Sequence, residues 1–206
     1  MSAAAVEHPC DGEPPTLLEE ADLLMEQLPG YRVEIIGGIL TVTPPPDGPH
    51  AEVLTTLMVP FLSAGLHNEE TKVLQSIGLW LPRGAEDYAI PDLAIVDGDY
   101  AAHLIAHNCY DPVVFRLVLE VTSSNYNQDL RAKVSVYAEA DIPVYVIVNR
   151  KHNRVHVLTE PVGSDYASHQ IFAAGQQAPL PASIGGDVTL DVAAVLQAGA
   201  TVRAKD

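Results

Sequence analysis

Two stretches constrain this chain more than any others: AIPDLAIVD (89–97) and VVFRLVLEVTS (113–123). Both are nearly continuous apolar runs that also carry a carboxylate, Asp92 in the first and Glu120 in the second. The first reads as a strand buried on both faces, because a strand with one wet face would alternate. The second reads as another central strand. A sheet with such strands needs cover on both sides, which points to a mixed α/β arrangement. A carboxylate inside an apolar strand is costly unless it is paired or bound to a metal. Asp92 and Glu120 therefore each require a partner.

The flanking sequence supplies the cover. Residues 1–15 carry Pro9, Gly12, Pro14 and Pro15 without periodicity and read as a flexible tail, leaving 16–206 as a single domain. Thr16 and Glu19 form a capping box ahead of LLEEADLLMEQL, and Pro29-Gly30 ends that helix. YRVEII and ILTVTP flank Gly37-Gly38 as a hairpin. PPPDGP is a loop ending at His50, where the helix HAEVLTTLMVPFLSAGL opens; Pro60 should kink that helix or split off its last turn. VLQSIGLWL reads as one strand and residues 98–112 as irregular chain. A helix opens between Asn125 and Asp129 and runs to about Ala140, VYVIVN is a fourth strand, and RVHVLTE pairs with it across the Arg150–Asn153 turn. DVAAVLQAG is a short last helix with Gly199 as its stop. The order is helix, hairpin, helix, three strands, helix, strand, strand, which gives an α/β sandwich around a mixed sheet.

Charge limits the functional classes. Lys and Arg total 11 against 27 Asp and Glu, for a net charge of −16. That argues against a broadly basic nucleic-acid footprint. The densest basic run is Arg150, Lys151, His152 and Arg154, followed by His156. It reads as a solvated turn between two strands, and a homodimer would concentrate two such turns along one groove. The histidine pairs His103/His107 and His152/His156 read as surface residues. Cys10 and Cys109 make no disulfide framework. The N-terminus lacks the basic start and apolar run of a signal peptide, and no stretch approaches a membrane span. These features favour a reduced, cytoplasmic setting.

Two acids on neighbouring strands have two uses. Each can pair with an arginine at a strand end. Together they can hold a hard divalent cation, Mg²⁺ or Mn²⁺, which takes oxygen ligands and keeps several waters; the Val121 carbonyl at the same strand end is a further candidate ligand. Zinc is not favoured, since neither CxxC nor HExxH occurs. Lys133 lies in NQDLRAKVSVYAEA at the edge of the apolar stripe Leu130, Val134 and Tyr137. Its stem can lie on apolar surface and carry the ammonium toward the strand ends. The competing use is an exposed ion pair with Asp129 four residues earlier.

These segments together resemble the Uma-two family: YRVEIIGGIL, PPPDGPH opening a helix, IPDLAIV, LVLEVTSS, DLRAKVSVYAEADI and PVYVIVN, spanning about residues 16–160. Members of that family are labelled restriction endonucleases and resemble the PD-(D/E)XK nucleases. The resemblance implies a restriction-endonuclease-like mixed sheet flanked by helices, with an N-terminal helix and β-hairpin. It implies Asp92 and Glu120 as ligands of Mg²⁺ or Mn²⁺, and DNA as the substrate of an endonuclease. Thr122 stands where the superfamily's E-x-K signature has its lysine, and Lys133 matches the Uma-two lysine on the following helix. Ser123 matches the serine after the strand, while Ser124 stands where a proline is common. Glu34 matches the acid of the hairpin and His50 the histidine that opens the helix, which makes both candidate site residues. The rival readings are a non-catalytic nuclease-fold binding or assembly module, favoured by the −16 charge, and a hydrolase using Asp92 and Glu120 as a general acid/base pair.

Overall fold

The computed structural model describes residues 14–122, 126–198 and 200, with the backbone alone for 126–131. Most of the expected tail, Cys10, Ser123, Ser124, the Asp129 side chain and the Gly199 stop lie outside the described residues.

Thr16 caps α1 (Leu17–Gln27) with the full box: its hydroxyl accepts from the Glu19 N–H at 3.2 Å, and the Glu19 carboxylate accepts from the Thr16 N–H at 2.8 Å. β1 (Arg32–Ile36) and β2 (Ile39–Thr43) form the expected hairpin. Its turn residues Gly37 and Gly38 have φ of +61° and +72°, a region glycine enters without steric cost. α2 (Gly48–Ser63) is capped by Asp47, whose carboxylate accepts from the His50 N–H at 2.8 Å. The helix thus begins just before His50. Pro60 does not split it. Its missing N–H falls in the last turn, and its carbonyl still accepts from the Ala64 N–H at 3.0 Å.

VLQSIGLWL is two strands rather than one. β3 (Thr71–Gln75) and β4 (Gly78–Trp80) belong to different sheets, because Ser76 adopts φ +52° and redirects the chain between them. Next come β5 (Tyr88–Ala89) and β6 (Leu93–Asp97). Residues 98–112 are also more ordered than their sequence suggests: a 3₁₀ turn precedes β7 (Leu104–Ala106) and β8 (Cys109–Tyr110). After β9 (Phe115–Thr122) and α3 (Tyr126–Glu139) come β10 (Val144–Asn149) and β11 (Arg154–Val162). β12 (Asp165–Ala173), β13 (Gln177–Pro179) and β14 (Thr189–Asp191) precede α4 (Val192–Ala198). β12 escaped sequence reading because it is a largely exposed edge strand with little apolar patterning.

The main sheet has the order β12-β11-β10-β9-β6-β3, with β9 and β10 parallel and joined by α3. A second mixed sheet has the order β2-β1-β5-β4-β8-β7. One face of the main sheet, with Leu93, Ile95, Leu117 and Leu119, packs on Val53, Leu57 and Phe61 of α2 and Val195 of α4. The other face, with Ala94, Val96, Val118 and Ile147, packs on Val136 of α3 and on Leu79 and Ala89 of the second sheet. This cover on both faces is what the two apolar runs demanded. Among the described residues, no helix is long and apolar enough to cross a membrane.

Within the second sheet, one buried carboxylate ties the turn of the hairpin to the segment entering β5. Asp87, just before β5, accepts from the Gly37 and Gly38 N–H groups at 2.7 and 3.0 Å. Asp87→Ala leaves both donors without that acceptor and is expected to cost about 1–3 kcal/mol. Urea unfolding measures this; an unchanged midpoint would show that the turn holds without Asp87.

Candidate functional site

The antiparallel register of β6 and β9 pairs Leu93 with Leu119 and Ala94 with Val118. One step further, Asp92 comes opposite Glu120. Alternation along the strands puts both acids on the α3 side of the sheet, in line with Ala94 and Val118. They are 2% and 6% exposed. The Val121 N–H donates to Asp92 Oδ2 at 2.7 Å, and the Ser76 N–H donates to the Asp92 carbonyl at 3.3 Å. Val121 thus meets Asp92 through its N–H.

Lys133 of α3 is 8% exposed. Its Nζ donates to Glu120 Oε1 at 2.8 Å and to Glu34 Oε1 at 3.0 Å. The exposed-pair alternative is thereby displaced: the ammonium points inward. Its partners differ in one respect from the expectation, because Glu34 rather than Asp92 is its second carboxylate. Glu34 Oε1 also accepts from the Ile90 N–H at 2.8 Å, which ties β1 to the segment entering β6. His50, delivered by the first turn of α2, brings Nε2 to 3.3 Å from Asp92 Oδ2. Nε2 is buried and makes no hydrogen bond among the described residues. The fold thus gathers Asp92, Glu120, Lys133, Glu34 and His50 at one end of the main sheet.

Two further residues belong to this cluster. Arg32 NH2 lies 2.5 Å from Asp92 Oδ1, and its NH1 lies 3.9 Å from Glu120 Oε2. Tyr137 donates its hydroxyl to Glu120 Oε1 at 2.7 Å. Each leaves only a partial trace in the sequence. Arg32 stands two residues before Glu34, so both leave the same face of β1. Tyr137 is one helical turn after Lys133. Its ring belongs to the apolar stripe, but its hydroxyl is spent on the acid.

Three carboxylates (Glu34, Asp92, Glu120) thus meet two permanent cations (Arg32, Lys133), with His50 alongside. Burial, the largest influence on Asp92, would raise its pKa. The adjacent His50 ring, the Arg32 guanidinium and the Val121 N–H outweigh it and hold the carboxyl at about 2. At Glu120 burial prevails and pushes the carboxyl up to about 7, with Asp92 and Glu34 adding to the rise against the pull of Lys133 and Arg32. Burial would lower Lys133, but Glu120 and Glu34 hold it above its ordinary value.

The donor chemistry suits a hard divalent cation. Two buried carboxylates face each other, and a guanidinium already spans them as a stand-in positive charge. Glu120 Oε1 is engaged by Lys133 and Tyr137, and Asp92 Oδ2 by Val121, leaving Asp92 Oδ1 and Glu120 Oε2 for a cation. Among the described residues, no group of three or more His, Cys, Asp or Glu side chains forms a ready-made cage. A two-carboxylate donor set matches Mg²⁺ or Mn²⁺, which keep most of their waters, rather than zinc.

The two carboxyl groups act oppositely on stability. Glu120 has a folded-state pKa of about 7 against an ordinary 4.5, so the folded protein retains a proton there that the unfolded chain has lost. Its contribution is complete below pH 4.5 and disappears as pH rises through about 7. Asp92 contributes above 3.8 and loses that contribution as pH falls through about 2. Urea midpoints of the metal-free protein are expected to fall between pH 4.5 and 7, and Glu120→Gln to flatten that limb. Parallel curves for the two proteins would assign the slope to other groups.

Comparisons with known proteins agree with this architecture. The family model described as "Uma2: Putative restriction endonuclease" matches residues 18–193. Among solved structures, the chain is similar to one titled "Crystal structure of a putative nuclease belonging to DUF820 from Anabaena variabilis". That similarity has a TM-score of 0.66 at 14% identity, covering 91% of this chain and 100% of that one. No curated protein matches the chain. With two mixed sheets, an N-terminal helix and hairpin, and a family match over most of its length, this chain belongs to the Uma2 (Uma-two) family of restriction-endonuclease-like proteins.

Proposed function

We propose that the chain is a metal-dependent endonuclease that hydrolyses phosphodiester bonds in DNA. The observation that carries this reading is the pair Asp92 and Glu120, buried opposite each other with a lysine ammonium at 2.8 Å from Glu120. Asp92 Oδ1 and Glu120 Oε2 would hold Mg²⁺ or Mn²⁺, with the Val121 carbonyl as a further ligand. A cation bound there supplies charge that polarises a phosphoryl oxygen and acidifies bound water. The chain's own residues do the rest. The Val121 N–H fixes Asp92, and Tyr137 fixes Glu120. Glu34 holds the Lys133 ammonium beside Glu120. From there Lys133 orients the attacking water or offsets charge building on the phosphate.

The nucleic-acid reading has to meet the charge of −16. Asn149 pairs with Thr122, two residues beyond Glu120, so the turn carrying Arg150, Lys151 and Arg154 follows β10 out of the same sheet end. Arg150 lies 3.2 Å from Asp47, the cap of the helix that delivers His50. This basic turn beside an acidic cluster supports a phosphate backbone crossing here. The overall charge favours the rival reading, a nuclease fold used only for binding or assembly.

Plasmid and single-stranded DNA, incubated with the protein in Mg²⁺ or Mn²⁺ and separately in EDTA, decide between them. Cleavage is expected only with the divalent ion. Asp92→Asn and Glu120→Gln are each expected to lower it about 100-fold or more, and Lys133→Ala and Lys133→Arg to impair it as well. No cleavage by the wild type would favour the non-catalytic reading, and cleavage by Glu120→Gln at the wild-type rate would remove Glu120 from the chemistry.

A further inference from the structure

We propose that Arg32 is a built-in competitor for the cation position: without metal its guanidinium spans Asp92 and Glu120, and a divalent ion enters only by displacing it toward the mouth of the site. This rests on reading Asp92 and Glu120 as the metal-holding pair. Arg32 does not touch arbitrary atoms of those acids. It faces Asp92 Oδ1 at 2.5 Å and Glu120 Oε2 at 3.9 Å, the two oxygens that Val121, Lys133 and Tyr137 leave open. Guanidinium and metal therefore contend for the same oxygens, and two cations cannot share them at such separations without strong repulsion.

Arg32 is also the cation of the cluster best placed to leave. Lys133 is anchored by two carboxylates and its side chain is 10% exposed; the Arg32 side chain is 19% exposed and begins at the first residue of β1. Once displaced, it stays tethered at the strand end. Its planar fork is then available to an incoming phosphate, which it can grip in a bidentate way that an ammonium cannot. A residue that quiets the empty site would thus become a phosphate contact in the loaded one.

Calorimetric titration with MnCl₂ of the full chain tests this without substrate. Arg32→Met is expected to bind Mn²⁺ about tenfold more tightly than wild type, because the bound ion no longer has to clear the site. Arg83→Met removes an arginine paired with Glu139 on the surface and is expected to leave the affinity unchanged, which controls for overall charge. If Arg32 only braced the carboxylates, its loss would weaken binding about 10–100-fold instead. Equal or weaker binding by Arg32→Met, with wild type binding normally, overturns this inference alone. Absence of binding in both proteins overturns the metal reading and this inference with it. A readout on the wild type avoids any folding defect of the variant. The Arg32 side-chain Nε–Hε NMR signal is expected to move on Mg²⁺ addition with the calorimetric midpoint, and a signal unmoved at saturation overturns the displacement.

Discussion

Three carboxylates buried at one end of a sheet are untenable unless cations are buried with them. Taking any one of these charges out of water costs several kcal/mol, and removing one partner of a buried pair strands the other. Much of the architecture serves to bring that charge balance together. The main sheet sets Asp92 opposite Glu120 through the β6–β9 register. The hairpin delivers Arg32 and Glu34 from one face of β1, α3 delivers Lys133 and Tyr137 one turn apart, and α2 delivers His50 from its capped first turn. Four separate elements close on one point. Polar networks satisfied in this way rigidify their surroundings, because each donor has one acceptable place to go.

The acids were legible from residues alone, since a carboxylate inside an apolar run must meet a cation or a set of donors there to remain charged. Lys133 was legible as a stripe-edge lysine, although the wheel could not choose between Asp129 and the interior. Arg32 is hidden in the sequence, because an arginine opening a hairpin strand is ordinary surface chemistry unless its own face of the strand is covered. Val33 and Ile35 pack on the α1 side of β1, and the opposite face, with Arg32 and Glu34, closes on Asp92, Ile90 and Lys133. Tyr137 was hidden by its own ring, whose burial accounts for its position without reference to the hydroxyl. At the level of the fold, the break between β3 and β4 rests on one residue, Ser76, in a left-handed conformation that serine seldom signals. β12 carries too little apolar pattern to announce a strand; it is placed by its long pairing with β11.

The distribution of charge matters more than its sum. Two of the basic side chains are committed to the acid cluster, and three more leave the same sheet end on the β10–β11 turn. On the proposed nuclease reading, an acidic molecule organised this way would repel a polyanion broadly and meet it at one edge. That suits a protein whose contact with nucleic acid is local and depends on a metal.

The most direct measurement is anomalous scattering from crystals soaked in Mn²⁺. A single strong peak between the Asp92 and Glu120 carboxylates, with the Arg32 guanidinium moved away from them, is the expected result. Crystals saturated with Mn²⁺ that show no peak there, with Arg32 still lying across both acids, would contradict the reading of this cluster as a metal-dependent nuclease centre.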